Sequence, residues 1–346
     1  MRPSCSVTWR GLGYQKMRTQ EPNGDERYGR TALIGHTGFV GSTLARQGVF
    51  DDYFNSKSIH EIGARRFDVV VCAAAPGSMF EANKFPERDR VRVDALIDQL
   101  SRVRAERFIL ISSIAVLADF ADGGDESAAT FQMEMAYGRH RRALETFAEE
   151  HFQSSLVVRL PALFGRGLRK NLIFDLLNPV PSMLARPKLD ALAAALDADL
   201  KNWLRDLYTY DAATEMLKLD RKTLNADPRR DVLNEAVREL GFSATQFHNS
   251  QSTYQFYDMS CLWPDICTAL GGGLSCIHLV AEPLKVEHIY SRLIGCKMPD
   301  TGADLHHEDM RTRHASLWGV AGPYLVDNET TLDRLAAFFS LGGQTE

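Results

Sequence analysis

The chain has 346 residues, 45% of them hydrophobic and 25% charged, with a formal net charge of -5. That is enough for one large or two modest cores, and the charge gives no electrostatic reason to expect nucleic acid or an anionic membrane as a partner. The six cysteines, Cys5, Cys72, Cys261, Cys267, Cys276 and Cys296, form no Cys-x-x-Cys pair, which fits a reduced, cytoplasmic compartment.

Residues 1–29 are polar, without the apolar stretch of a secretory signal. They read as a disordered extension, in which Met17 offers an alternative start. The longest apolar run, around Phe108 to Leu117, is far short of the ~20 residues that span a bilayer.

An apolar run, Thr31-Ala32-Leu33-Ile34, leads into Gly35-His36-Thr37-Gly38-Phe39-Val40-Gly41. This reads as strand, tight turn and helix start. The first glycine permits the turn, the second lets backbone approach a pyrophosphate, and the third packs the helix on the strand. The helix start favours an anion. The helix runs to about Gln47, and a short second strand falls within Phe50 to Ile59. About 20 residues past the glycines, where an acidic side chain reads a ribose hydroxyl pair, stand Asn55, Ser56 and Lys57. Two hydrogen-bonding side chains and a cation suit a 2′-phosphate, so the pattern favours NADP over NAD.

Phe67 to Cys72 reads as a buried parallel strand. Ala73, Ala74 and Ala75 follow, small enough to let a cofactor lie close. An amphipathic helix is predicted over 86–104. Arg107 to Ser113 is another buried strand, ending in the hydroxyls of Ser112 and Ser113. A loop rich in Asp, Gly and Ala spans about 119–130. A helix from Ala136 to about His151 carries Tyr137 and Arg141 on one face. Leu156 to Leu160 is the next strand. Strands alternating with helices from 31 to 165 predict a doubly wound parallel sheet, an α/β fold.

After Asn171 the texture changes. Residues about 184–245 have helical spacing without a strand signal and read as a helical insertion. Strand texture returns within about 254–280, at Tyr254–Tyr257 and Ser275–Val280, and an amphipathic helix covers Leu332 to Leu341. The division expected is therefore an extension over 1–29, a dinucleotide-binding domain over 30–180, and a smaller, mostly helical substrate-binding region over 181–346.

Five motifs together resemble the extended short-chain dehydrogenase/reductases of the NAD-dependent epimerase/dehydratase family, the type that modifies nucleotide sugars. They are Gly35–Gly41, Val71–Ala75, Ile111–Val116, Tyr137 with Arg141, and Arg159-Leu160-Pro161-Ala162-Leu163-Phe164-Gly165. The resemblance implies a Rossmann fold. It makes Tyr137 the general acid/base and Ser113, with Ser112 as the alternative, the hydrogen-bond donor to the substrate oxygen. It assigns cofactor contacts to Gly35, Thr37, Gly38, Phe39, Val40, Gly41, Ala73, Ala74, Ala75, Tyr137, Arg141, Leu160, Pro161 and Leu163. The family's lysine four residues after the tyrosine is Arg141 here, which keeps the charge and can bind ribose hydroxyls but cannot give up a proton.

Sugar dehydratases of the family carry an Asp-Glu pair after the strand-end hydroxyl, and here Ile114 and Ala115 stand there. That leaves a keto-reductase or an epimerase, acting on a nucleotide-linked or otherwise activated sugar. Arg166, Arg169, Lys170 and Asn171 read either as a grip on a nucleotide diphosphate, with Arg169 and Asn171 touching substrate, or as a solvated helix start. His306-His307-Glu308-Asp309 reads as a polar loop, so no metal is expected. The family also implies a homodimer through the helices near 86–104 and 137–151. The alternative in another class is a dinucleotide-binding redox sensor or scaffold without turnover.

Overall fold

The computed structural model describes residues 30–343, so the extension expected over 1–29 lies outside the described residues. In chain order the elements are β1 (Thr31–Ile34), α1 (Phe39–Gln47), β2 (Asp52–Phe54), β3 (Arg66–Cys72), α2 (Met79–Lys84), α3 (Pro86–Leu100), β4 (Arg104–Ser113), α4 (Ala136–His151), β5 (Ser155–Leu160) and β6 (Ala162–Phe164). There follow α5 (Leu172–Leu177), β7 (Met183–Leu184), α6 (Arg186–Ala195), α7 (Ala198–Asp206), β8 (Tyr208–Asp211), β9 (Met216–Leu219), α8 (Arg221–Ala226) and α9 (Arg230–Glu239). The last are β10 (Thr253–Tyr254), β11 (Phe256–Asp258), α10 (Leu262–Gly271), β12 (Cys276–His278), β13 (Leu284–Lys285), α11 (Val286–Ile294) and α12 (Asn328–Ser340).

Contacts divide the chain into two units, and the first comprises residues 30–166, 255–283 and 307–334. Its frame is a six-stranded sheet in the order β12-β5-β4-β3-β1-β2, every neighbouring pair parallel. This is the expected doubly wound, Rossmann-like sheet. Chain order reverses at β1, which lies between β2 and β3, and a crevice opens at the carboxyl ends of strands at such a point.

Side chains alternate across the sheet. Leu33, Val71, Ile109 and Val158 pack on one face with Leu44 of α1 and Trp263 and Ile266 of α10. Ala32, Ile34, Val70, Cys72 and Phe108 pack on the other with Val93 and Leu100 of α3 and Leu144 of α4. With both faces covered, the strands read as nearly continuous apolar runs. Each buried Val, Leu, Ile or Phe contributes about 1.5–3 kcal/mol. Burial pushes the Cys72 thiol up to about 12, so it stays protonated and serves as a small hydrophobe.

In this unit the structure adds two features and corrects one expectation. The segment after β2 forms a 3-10 turn, Ile59–Ala64, where a crossover helix is usual. α2 appears where no element was predicted, and Ser78 accepts from Glu81 N as its cap; Ser-x-x-Glu was the signal for it. The strand texture near 254–257 does not rejoin the large sheet. β11 pairs instead with β6, and only β12 returns to the sheet, beside β5.

The second unit comprises residues 167–254, 284–306 and 335–343. Here β10 pairs antiparallel with β13. The region expected to be a purely helical insertion also contains an antiparallel sheet in the order β7-β9-β8. Its helices and strands share a core that includes Leu184, Leu192, Leu204, Leu217, Leu233 and Val237. The β8–β9 hairpin is closed by Glu215 N donating to Asp211 O at 2.8 Å, with Glu215 at φ 56°. Two four-residue strands around a turn without glycine leave little alternation to read. Among the described residues, no helix is long and apolar enough to cross a membrane.

Candidate active site

The glycines between β1 and α1 have three different physical reasons. Gly35 has φ +87°, and a Cβ there would lie 2.6 Å from Ala73 O, so both its conformation and the loop after β3 require glycine. A Cβ on Gly41 would lie 2.0 Å from Gly35 O, so the helix seats on the turn only without a side chain. Gly38 is different, because a Cβ there would meet only Gly35 O, at an ordinary 3.5 Å. The polypeptide does not itself demand glycine at 38, and the open space fits a ligand that approaches backbone.

α1 starts at that point with no side-chain cap and no acidic residue in its first turn. Its N–H groups and dipole therefore suit an anion. Phe39 and Val40 pack against the sheet core, Thr37 is exposed, and Ala73, Ala74 and Ala75 are half-buried around the carboxyl end of β3. This constellation fits a dinucleotide pyrophosphate. Asn55, Ser56 and Lys57 follow β2 directly. Asn55 Oδ1 accepts from Lys57 N at 2.8 Å and so shapes the turn, while Ser56 and Lys57 are exposed.

The two hydroxyls ending β4 point to different tasks. Ser112 Oγ donates to Glu145 Oε1 at 2.6 Å. Glu145 is fully buried and holds Arg159 through two bonds of 3.0 and 2.7 Å. Arg159 in turn reaches His278 Nε2 at 3.2 Å, and His278 Nδ1 donates to Arg311 O at 2.9 Å. Burial, with Arg159 beside it, pushes the His278 pKa down, so its neutral ring accepts from the arginine. Ser112 belongs to this buried network. Ser113 Oγ accepts from Ala115 N at 3.2 Å, capping a 3-10 turn over Ile114–Val116. Its hydroxyl hydrogen is left for another acceptor. Ile114 and Ala115 are both buried and apolar, so the turn holds no acid/base pair.

α4 begins against that turn. A Cβ on Gly138 would lie 2.1 Å from Ala115 O, so only glycine lets the helix start approach it. Tyr137 is half-buried, and its N–H donates to Asn83 Oδ1 at 2.9 Å. The Arg141 guanidinium stacks on the Tyr137 ring, 4.4 Å from its centroid. Arg141 is only 3% exposed. Its Nη1 donates to Asp89 Oδ2 at 2.7 Å, and its Nη2 donates to Asp89 Oδ1 at 3.2 Å and to the carbonyl of Pro76. His140 Nδ1 donates to the same carboxylate at 2.8 Å. Burial would raise the Asp89 pKa, but hydrogen bonds from Arg141 and His140 outweigh it and hold the carboxyl below its usual range. Both terminal nitrogens of Arg141, the side chain expected to bind ribose hydroxyls, are engaged with Asp89 and Pro76.

Asp89, Asn83 and Gly138 are the residues that sequence reasoning missed. Asp89 and Asn83 lie more than 50 positions from their partners and carry no local signal, whereas a glycine inside a helical pattern is a readable one. At the end of β5 Leu160 is buried, and beyond it Pro161 and Leu163 are half-buried. Arg169 and Asn171 belong to the second unit. Arg169 is exposed, and Asn171, at φ 102°, uses Oδ1 to cap α5 through Ile173 N and Phe174 N. Glu308 accepts from Gln255 N and the His306 ring stacks on Tyr254. Among the described residues, no group of His, Cys, Asp or Glu is placed to hold a metal.

The model of the NAD dependent epimerase/dehydratase family matches residues 47–219. No curated protein sequence matches the chain. Among solved structures, RMD from Pseudomonas aeruginosa complexed with NADPH is similar, with 14% identity and a TM-score of 0.55 over 91% of this chain and 99% of that one. A Thermotoga maritima UDP-glucose 4-epimerase with UDP-glucose has 11% identity and a TM-score of 0.54, over 90% and 99%. A Bacillus anthracis dTDP-4-dehydrorhamnose reductase in complex with NADP has 13% identity and a TM-score of 0.53, over 92% and 100%. At these identities the likeness establishes the fold.

Proposed function

Because the chain belongs to the NAD-dependent epimerase/dehydratase family, enzymes of the extended short-chain dehydrogenase/reductase type, we propose that it is a keto-reductase or epimerase acting on a nucleotide-linked or otherwise activated sugar. The observation that carries this reading is the junction of β4 and α4. A strand-end hydroxyl with a hydrogen to donate, Ser113, precedes a turn on which Gly138 seats the helix bearing Tyr137. The nicotinamide, when bound, supplies or removes hydride at a carbinol or ketone carbon. Tyr137 gives or takes the proton at the substrate oxygen. Ser113 donates to the same oxygen as its charge changes. Arg141, fixed by Asp89, stacks on the phenol ring and holds it in place. No proton passes through it.

The glycine turn and the half-buried alanines support a dinucleotide held along β1 and β3, with Pro161 and Leu163 beyond β5. Ser56 and Lys57 support NADP over NAD. Arg169 and Lys170 favour a nucleotide diphosphate, while Asn171 is spent on its helix. Buried Ile114 and Ala115 argue against a dehydratase. The free cysteines support a reduced, cytoplasmic setting, and exposed Val91 on α3 supports a homodimer through α3 and α4.

The deciding experiment is to release and weigh whatever dinucleotide travels with the purified protein, then supply 4-keto and 4-hydroxy nucleotide sugars. Tightly held NAD with inversion and no net cofactor change identifies an epimerase. NADPH consumed against a ketone identifies a reductase. Binding of neither dinucleotide overturns the reading.

A further inference from the structure

The glycine turn contains one residue that its own geometry does not explain. His36 follows Gly35, and its Nδ1 lies 3.0 Å from Phe54 O, the last carbonyl of β2. A carbonyl only accepts, so Nδ1 carries the hydrogen and donates it. The Tyr53 ring meets the imidazole edge-on, with centroids 5.6 Å apart. Two contacts thus hold the ring at the carboxyl end of β2. Nε2 lies on the opposite edge of the ring and has no partner among the described residues.

The end of β2 is where doubly wound folds read the 2′ position of the adenosine ribose. An acidic side chain there accepts from a 2′-hydroxyl, and a cation there accommodates a 2′-phosphate. In this chain the carboxylates of β2 and the residue before it are engaged elsewhere. Asp51 accepts from Thr31 N and Oγ1, and Asp52 is paired with Arg30 and Arg65. Asn55, Ser56, Lys57 and Ser58 add no acid. The first turn of α1 carries none, and Ala73–Ala75 are uncharged. Lys57, three residues beyond Phe54, is the charged side chain in this stretch.

Resting on the reading of the glycine turn as a dinucleotide site, we infer that His36 determines the choice of cofactor, with Nε2 and an oxygen of the 2′-phosphate of NADP(H) sharing one proton in a hydrogen bond. Phe54 O fixes the ring so that this nitrogen is presented with little conformational cost. Lys57 adds charge from an exposed, flexible stem, whereas His36 supplies direction.

The test is titration of the full chain with NADPH and with NADH, followed by nicotinamide fluorescence, in wild type and two variants. His36→Asn keeps a donor where Nδ1 stands and removes the outer nitrogen. His36→Gln places a donor near Nε2 and gives up the bond to Phe54. Wild type is expected to bind NADPH about tenfold or more tighter than NADH, the size of one charge-assisted hydrogen bond. His36→Asn should lose about tenfold in NADPH affinity with NADH affinity unchanged, and His36→Gln should retain part of the preference. A variant-free check is the His36 Cε1–H resonance, which should shift with 2′-phospho-ADP-ribose and stay in place with ADP-ribose. If His36→Asn binds both dinucleotides with the wild-type ratio, if wild type prefers NADH, or if the resonance does not distinguish the two ligands, the inference is overturned while the dinucleotide site stands. If wild type binds neither dinucleotide, the reading on which it rests fails first.

Discussion

The start of α1 and the start of α4 are built alike up to a point. Neither has a side-chain cap. Each carries a glycine where a Cβ would strike a carbonyl oxygen, at 2.0 Å for Gly41 and 2.1 Å for Gly138. They differ in where the carbonyl comes from. Gly41 meets Gly35, six residues away, so the α1 start is a local object closed by its own turn. Gly138 meets Ala115, while Asn83 of α2 accepts from the backbone N–H of Tyr137 and Asp89 of α3 holds the Arg141 side chain. The α4 start is therefore a tertiary object. The α1 start is shaped chiefly by its own turn, whereas the α4 start rests on α2, α3 and the turn after β4.

Five substitutions sharpen or break this contrast, the largest effect first. Tyr137→Phe removes the proposed acid/base and leaves the α1 turn untouched. Turnover should fall about a thousandfold, roughly 4 kcal/mol in the barrier, while titration shows dinucleotide affinity unchanged; near-normal turnover would remove Tyr137 from the mechanism. Gly41→Val forces a side chain into Gly35 O. It should cost about 3 kcal/mol and lower the melting temperature by about 10 °C, with dinucleotide binding lost in what remains folded. A stable variant with full binding would mean the turn is not closed as described.

Ser113→Ala should slow turnover about a hundredfold, whereas Ser112→Ala, in the Glu145 network, should lower stability and leave the rate nearly intact. The opposite pattern in steady-state kinetics and melting curves would exchange the two roles. Asp89→Asn should cost about 2 kcal/mol near neutral pH by weakening a buried charge-assisted pair. Because the folded Asp89 pKa is depressed below 3.8, its contribution is complete above that value and is lost as pH falls through the folded value. The stability gap between wild type and variant, measured by denaturant titration, should be wide at neutral pH and close in acid. A gap independent of pH would deny the carboxylate its role.

The same contrast explains what could be read from the sequence. The glycine turn, the buried strands β3, β4 and β5 and the helix carrying Tyr137 were legible because backbone conformation and burial on both sheet faces impose short-range patterns. Cys72 was legible as a core residue for the same reason. The lock on Arg141 was not, since its carboxylate lies 52 residues away on α3. A charged residue at the lysine position suggested a solvent-facing or ribose-facing cation, and only tertiary structure shows it neutralised and buried. β8 and β9 were hidden differently. Four residues each of Tyr-Thr-Tyr-Asp and Met-Leu-Lys-Leu, flanked by Leu- and Ala-rich helices, are too short for period two to stand out from period 3.6.

The shortness of β2 reaches beyond the proposed cofactor site. A three-residue strand lies at each border of the large sheet, β2 on one side and β12 on the other. The border at β2 is further dressed with the Arg30–Asp52–Arg65 charge cluster. A sheet border offers unpaired N–H and C=O groups to any other strand that meets it, and natural proteins blunt it by shortening and charging the outermost strand. Replacing a crossover helix by one 3-10 turn thus leaves a parallel sheet with almost no ladder for another chain to extend, which guards it against edge-to-edge aggregation.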